Sequence, residues 1–198
     1  MRNAFLCCFL ITSAFGQDPA SDEGLLPVFR CVLDERPRML VILLGEKQDQ
    51  ALAFHTESGT LWKAWKAEEG KPAVLLVGAL YTGKHGPQPE SQGKLLFTDE
   101  KPQLSCSDPE ARLQYLGHLV GKDGAVSVRW AFQDASHHNL AVIKASAAPG
   151  TAGVDLNYQL EAPPAGGRQV SVRKPGSADA SRDLKAGMPV DFNIDFAK

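Results

Sequence analysis

Cysteine is scarce in this chain of 198 residues, and no C-x-x-C-H motif for covalent haem attachment occurs. Two of the four cysteines, Cys7 and Cys8, fall in an N-terminal apolar run, which leaves Cys31 and Cys106 for the rest of the chain. In an oxidising compartment these two are a candidate disulfide, worth about 4 kcal/mol for so long a loop. The alternative is two independent thiols, one buried and one in a turn.

Long apolar runs and concentrated positive charge are also missing after residue 16. A membrane-spanning helix needs about 20 apolar residues, and no later segment approaches that length. The formal net charge is -2 and the basic residues are scattered, so we expect neither a membrane span nor a nucleic-acid surface. The nucleophile motif G-x-S-x-G is absent as well. The composition therefore predicts a non-catalytic protein without a cofactor.

The N-terminus has the parts of a secretory signal peptide. Arg2 precedes the apolar run Ala4–Thr12, and small residues stand three and one positions before Gln17. Export to the periplasm or the cell exterior is the expected result. The chain is then expected to divide into a signal peptide (1–16), an acidic leader (17–26) and a single domain (27–198).

Apolar and polar residues alternate with a period of two through much of the remaining chain, which indicates half-buried antiparallel strands. The clearest cases are Val126–Phe132, Val154–Leu160 and Val190–Phe196. Met39–Leu44 and Ala73–Tyr81 are more continuously apolar, as expected of strands in the middle of a sandwich. Turn residues separate these runs at short intervals. We predict an all-β fold, an antiparallel β-sandwich of roughly ten or eleven strands with little helix.

Local signals refine this prediction. Ser58-Gly59 and Asp123-Gly124 are predicted to form tight hairpin turns, because glycine adopts the positive φ that such turns need. Asp108–Leu116 could form at most a short helix, capped by Ser107 or Asp108. The His137-His138 pair could chelate a metal only from a turn, and without a spaced third ligand a solvated turn is expected instead.

Four residues are candidates for ligand binding: Trp62, Trp65, His85 and Gln88. The two tryptophans stand three apart on a predicted strand, so we expect them to face opposite ways. One would enter the core, and the other could stack on a sugar ring or cover a second layer. His85 and Gln88 lie in a loop whose two glycines and two prolines specify its shape, and such loops carry function or form a structural arch.

The chain carries the motifs L-D-x-R-P-R-M at Leu33–Met39, L-W-K-x-W-K at Leu61–Lys66 and H-G-P-Q-P at His85–Pro89. With these motifs it resembles the N-terminal module of large secreted bacterial proteins that join it to c-type cytochrome and sugar-dehydrogenase-like domains. The likeness covers Pro27–Trp130 and, more weakly, the rest. It departs in lacking a haem motif and in having His55 where the module has aspartate. The resemblance implies a link to carbohydrate-processing or redox assemblies, and no catalytic residues.

We therefore expect a secreted, non-catalytic module that binds a glycan or a secreted partner protein. One alternative is a hydrolase or lyase, which requires a cleft where His85 or His118 approaches a carboxylate. Another is a structural envelope protein, which short loops and the lack of a concave apolar surface would favour.

Overall fold

A computed structural model of the chain describes residues 27–75, 88–178 and 180–196. Fifteen antiparallel strands run through these residues. They are β1 (Val28–Leu33), β2 (Arg36–Leu44), β3 (Gln50–His55), β4 (Thr60–Lys66), β5 (Val74–Leu75), β6 (Glu90–Ser91), β7 (Lys94–Thr98), β8 (Leu104–Cys106), β9 (Arg112–Val120), β10 (Val126–Gln133), β11 (Asn139–Pro149), β12 (Gly153–Leu160), β13 (Val170–Val172), β14 (Arg182–Asp183) and β15 (Val190–Asp195).

Two five-stranded sheets form the body of the fold, which confirms the predicted all-β sandwich. The first sheet has the order β1-β2-β3-β4-β7, and the second has the order β15-β12-β11-β10-β9. The inward side chains of both sheets make one apolar core. The other five strands have only two or three residues each, too few for an alternation pattern to reveal them in the sequence.

Alternation in the second sheet follows the sequence pattern. On β10 the side chains of Val126, Val128 and Trp130 are buried, and those between them face outward. Trp130 lies at the centre of the core, where its ring centroid is 5.7 Å from that of Phe54 on β3. The predicted strand over Val190–Phe196 is confirmed as the edge strand β15.

The first sheet is buried on both faces, which explains its continuous apolar runs. Met39, Val41 and Leu43 form a second apolar cluster on the face turned away from the second sheet. Described residues that follow β4 pack on this face. Val74 of β5 belongs to the cluster, and the Trp65 indole nitrogen donates to the Ala73 carbonyl at 2.7 Å.

A three-stranded sheet of order β14-β13-β8 adds Leu104, Val170 and Val172 to the inter-sheet core. The loops beside it are joined by a buried ion pair, in which Arg173 donates to both oxygens of Asp99 at 2.9 and 2.8 Å. Buried charges in a protein interior require such a partner.

Two expectations about local structure had different outcomes. Gly59 and Gly124 have φ of 63° and 76°, as the predicted hairpin turns require. The short helix over Asp108–Leu116 was wrong, because β9 begins at Arg112 and its residues Leu113 and Tyr115 pack on the core. Among the described residues the one helical segment is the turn Ala165–Gly167.

The two cysteines do not form the candidate disulfide. Cys31 is buried in the second apolar cluster, on the outer face of the first sheet, whereas Cys106 packs against the inter-sheet core. They are two free thiols on different sides of the sheet. Residues 1–26, with the expected signal peptide and leader, lie outside the described residues. Within the described ranges no helix has the length and hydropathy needed to span a membrane.

Candidate functional site

Trp62 and Trp65 lie on the same face of β4, so the expectation that they diverge was wrong. The register between β3 and β4 pairs Ala53 with Lys63 but Phe54 with Leu61, which leaves Trp62 as the extra residue of a β-bulge. A bulge shifts the alternation by one residue. Both indoles therefore join the second apolar cluster, with exposed fractions of 8% and 1%.

Lys63 lies between the two tryptophans and holds a polar network. Its ammonium group is 5.5 and 5.7 Å from the ring centroids of Trp62 and Trp65. It donates to Asp34 Oδ2 at 2.6 Å and to Ser91 Oγ at 2.5 Å. Burial alone would raise the pKa of Asp34, but its bonds with Lys63 and Ser91 hold that pKa below the ordinary value.

This network connects two motifs that are far apart in the sequence. The Asp34 amide donates to the Pro89 carbonyl at 3.1 Å, and the Ser91 amide donates to Asp34 Oδ1 at 2.8 Å. Gln88, half-buried, comes directly before Pro89. His85 lies outside the described residues. Trp62, Trp65 and Gln88 are thus near one another, around a hydrogen-bond network that includes the Pro89 carbonyl.

Trp62 is also covered from the solvent side. The Arg36 guanidinium stacks 4.6 Å from its ring centroid, and Arg36 forms two 2.7 Å bonds with Glu100. The Trp62 indole nitrogen donates to the same carboxylate at 2.9 Å. Both indole rings are therefore engaged within the fold.

A more open site lies on the opposite side of the sandwich, where β1 and β9 form the edges of the two sheets. Two adjoining depressions of about 410 and 330 Å³ share Arg30 and Arg38 in their walls. We call them together the arginine groove. Its remaining walls include Glu57, Gln114 and Tyr115.

Arg38 is held in the groove by an unusual backbone conformation. Its φ is +62°, and it occupies the irregular position where β2 has one more residue than β1. Left-handed backbone is uncommon for a residue with a side chain and carries strain. The Arg38 carbonyl accepts two 2.9 Å bonds, from the amide and the hydroxyl of Thr56. The side chain forms an ion pair with Glu57.

A second bulge brings Tyr115 and His118 together on β9. Arg129 pairs with Gly117 while Trp130 pairs with Tyr115, so Leu116 is the extra residue, and Gly117 has φ of +125°. The two side chains consequently share the inward face of β9. The Tyr115 hydroxyl lies 2.6 Å from His118 Nδ1.

Arg30 completes the electrostatics of the groove. Its guanidinium lies 5.4 Å from the Tyr115 ring centroid and is in no ion pair within the described part of the chain. Burial, reinforced by Arg30, lowers the pKa of His118. Burial raises the pKa of Tyr115, although Arg30 opposes the change. The Tyr115 hydroxyl and His118 Nδ1 thus share one hydrogen bond, and the imidazole tautomer decides which of them donates.

Trp130 supports both walls of the groove from inside the core. Its indole nitrogen donates to the Thr56 carbonyl at 2.9 Å, and Thr56 holds the Arg38 carbonyl. Its ring also contacts Tyr115 edge-on, with centroids 6.3 Å apart. The groove is therefore built on a buried aromatic residue that links the two sheets.

The sequence contained only weak signals of this groove. An isolated glycine inside a strand pattern, such as Gly117, indicates a bulge or a close backbone approach. Arg30 and Tyr115 are 85 positions apart, so that nothing local in the sequence relates them. The groove holds two guanidinium groups, of which Arg38 is paired with Glu57, whereas Arg30 is in no ion pair with a described residue. His118 has a hydroxyl partner rather than the carboxylate that the hydrolase alternative requires.

The paired histidines form part of a solvated turn. Asp134 Oδ1 accepts bonds from the Ser136 and His138 amides at 2.8 and 2.9 Å, and His137 has φ of +63°. No group of three histidine, cysteine or acidic side chains suited to a metal ion occurs in residues 27–75, 88–178 or 180–196.

No known protein family, curated protein or solved structure matches the chain.

Proposed function

We propose that this protein is an exported, non-catalytic interaction module that binds carboxylate groups of a secreted partner protein in the arginine groove. The observation that carries the proposal is the Arg30 guanidinium, which is in no ion pair with any described residue and lies beside a second arginine, Arg38. Arginine binds carboxylates with two parallel hydrogen bonds, which adds geometric selectivity to the charge attraction.

The local geometry favours a protein carboxylate over a sugar ring. Sugar recognition by stacking needs an exposed aromatic face. Among the described residues the exposed large apolar side chains are Leu75, Leu95, Leu116, Leu119, Val120 and Met188, none of them aromatic. Tyr115 is half-buried and its ring faces Arg30. We therefore place a glycan ligand second.

Calorimetric titration of the purified protein with octaglutamate and with oligogalacturonate of equal carboxylate number tests the proposal. We expect octaglutamate to bind more tightly, and R30Q or R38Q to weaken binding about tenfold, as for a charge-assisted hydrogen bond. Arg182→Gln is the matched control, because Arg182 is exposed on β14 and outside the groove. Equal weakening by all three substitutions would show general charge attraction and refute the proposal. Preferential binding of oligogalacturonate would support a glycan ligand instead.

A further inference from the structure

The edge strand β9 has an exposed apolar surface beside the arginine groove. Leu116, Leu119 and Val120 are 39%, 70% and 49% exposed. Within the described residues β9 pairs with β10 alone, so its other edge presents main-chain groups without a neighbouring strand. Exposed apolar edges of this kind are templates for pairing with another strand.

Two of the other edges, β15 and β7, carry charged side chains that discourage pairing. β15 has Asp191, Asn193 and Asp195 at alternate positions along its edge. β7 begins at Lys94, and a lysine on an edge strand discourages pairing. Between Leu113 and Val120, β9 has neither a lysine nor a proline.

The two faces of β9 differ in chemistry. Leu119 pairs with Ser127 and lies on the outer face of the second sheet, whereas Tyr115 and His118 face inward, toward Arg30. Side chains of an added strand would alternate between the same two faces. Those on the outer face would meet Leu119, and those on the inner face would meet the Arg30 guanidinium.

We propose that β9 is a strand-addition site for an extended partner segment in which apolar and acidic residues alternate. The proposal rests on the proposed function, since it names the form in which the partner presents its carboxylates. The added strand would hydrogen-bond to the β9 main chain, with apolar side chains on Leu119 and carboxylates on Arg30. Tyr115–Val120 lies opposite the five residues Val126–Trp130 of β10, so an added strand has room for about five residues, roughly 17 Å.

The test uses the heptapeptide Val-Glu-Val-Glu-Val-Glu-Val and two N-methylated forms of it, one methylated at its glutamates and one at its internal valines, because alternate residues of a strand direct their main-chain donors to opposite edges. Methylation removes main-chain donors and keeps every carboxylate. Since each main-chain hydrogen bond contributes modestly, loss of several weakens binding about tenfold or more in calorimetry with the purified protein. Because this comparison needs no variant, it does not depend on how a substitution affects folding.

Two matched variants then locate the peptide. Leu119→Glu removes the apolar contact and repels an acidic strand, so we expect about tenfold weaker binding. Met188→Glu introduces the same charge at a residue that is 64% exposed and outside the second sheet, and we expect no change. Equal weakening by both variants would overturn the assignment to β9.

The remaining outcomes separate the two proposals. If octaglutamate binds but all three heptapeptides bind equally, strand addition is overturned and the arginine groove stands. If the protein forms a dimer by sedimentation and Leu119→Glu abolishes it, a second copy occupies β9 and the peptide proposal is overturned. If neither octaglutamate nor the heptapeptide binds, both proposals fall.

Discussion

The substitution Asp99→Asn should destabilise this protein severely, because it leaves a buried guanidinium without its counter-charge. Asp99 and Arg173 are 8% and 9% exposed. Removing one partner of a buried ion pair costs about 3–5 kcal/mol. The asparagine side chain would also turn an amide NH₂ toward groups that now donate to Asp99.

The number of groups that donate hydrogen bonds to Asp99 sets the expected loss in the free energy of unfolding. Besides two bonds from Arg173, the Asp99 carboxylate accepts from the amides of Lys101 at 3.0 Å and Gly176 at 2.9 Å. The Gln103 side chain adds a 3.3 Å contact. A buried donor left without an acceptor costs about 1–3 kcal/mol. We therefore expect the upper part of the range for an ion pair, about 4–5 kcal/mol.

Urea unfolding followed by tryptophan fluorescence measures this loss at pH 7. Glu161→Gln is the control, because it breaks the exposed pair in which Arg129 lies 2.5 Å from Glu161. Exposed pairs contribute about 0–1 kcal/mol, so the control should stay close to the wild type. A loss under about 1 kcal/mol for Asp99→Asn would refute the assignment of Asp99 as a buried structural charge.

In acid, the free energies of unfolding of the wild type and the Asp99→Asn variant should approach each other. Burial alone would raise the pKa of Asp99, but its bonds from Gly176, Lys101 and Arg173 hold that pKa below the ordinary value. A lowered folded-state pKa contributes stability above the unfolded value of about 3.9, and this contribution is lost as the pH falls through the folded-state pKa. An unchanged difference between wild type and variant across that window would contradict the argument.

Three further predictions concern backbone strain and thiol chemistry. Glycine tolerates the left-handed backbone at position 38, so Arg38→Gly should be about 1 kcal/mol more stable than Arg38→Ala in urea unfolding. Both variants should lose octaglutamate binding. Equal stability of the two variants would exclude backbone strain at this position. Cys31 should react far more slowly than Cys106 with iodoacetamide at pH 8, because burial and Asp34 raise the pKa of its thiol to about 12. Peptide mass spectrometry measures the two rates, and equal rates would contradict this prediction. Gly117→Ala should cost about 1–3 kcal/mol in urea unfolding, because alanine resists a φ of +125°, and a neutral effect would show that the β9 bulge relaxes.

Much of the fold could be predicted from the sequence, because alternation along a strand is a local property. The strands over Val126–Gln133, Gly153–Leu160 and Val190–Asp195 follow it closely. The short helix considered over Asp108–Leu116 does not form. It was suggested by capping residues at its start, whereas the packing of Leu113 and Tyr115 on the core decides the structure. Local propensity yields to tertiary packing there.

The candidate site could not be predicted in the same way, because it depends on bulges and long-range contacts. A bulge inserts one residue into a ladder and leaves no fixed sequence pattern unless a glycine marks it. No glycine marks the bulge at Trp62, so the alternation expected along a regular strand predicted the wrong face for this residue. The contact between Arg30 and Tyr115 joins the edges of two different sheets, which the chain order does not determine.

Two bulges of the same kind lead to different roles because of where their strands lie. On β4, an interior strand, the bulge places Trp62 and Trp65 on a face where Ala73 and Val74 also pack, and both become core residues. On β9, an edge strand, the equivalent bulge places Tyr115 and His118 beside an open groove. A pair spaced three apart on a bulged strand is thus structural when another segment covers that face and free to meet a ligand when none does. This difference in cover, rather than residue type, is why we place the proposed binding site beside Tyr115 and not at the tryptophans.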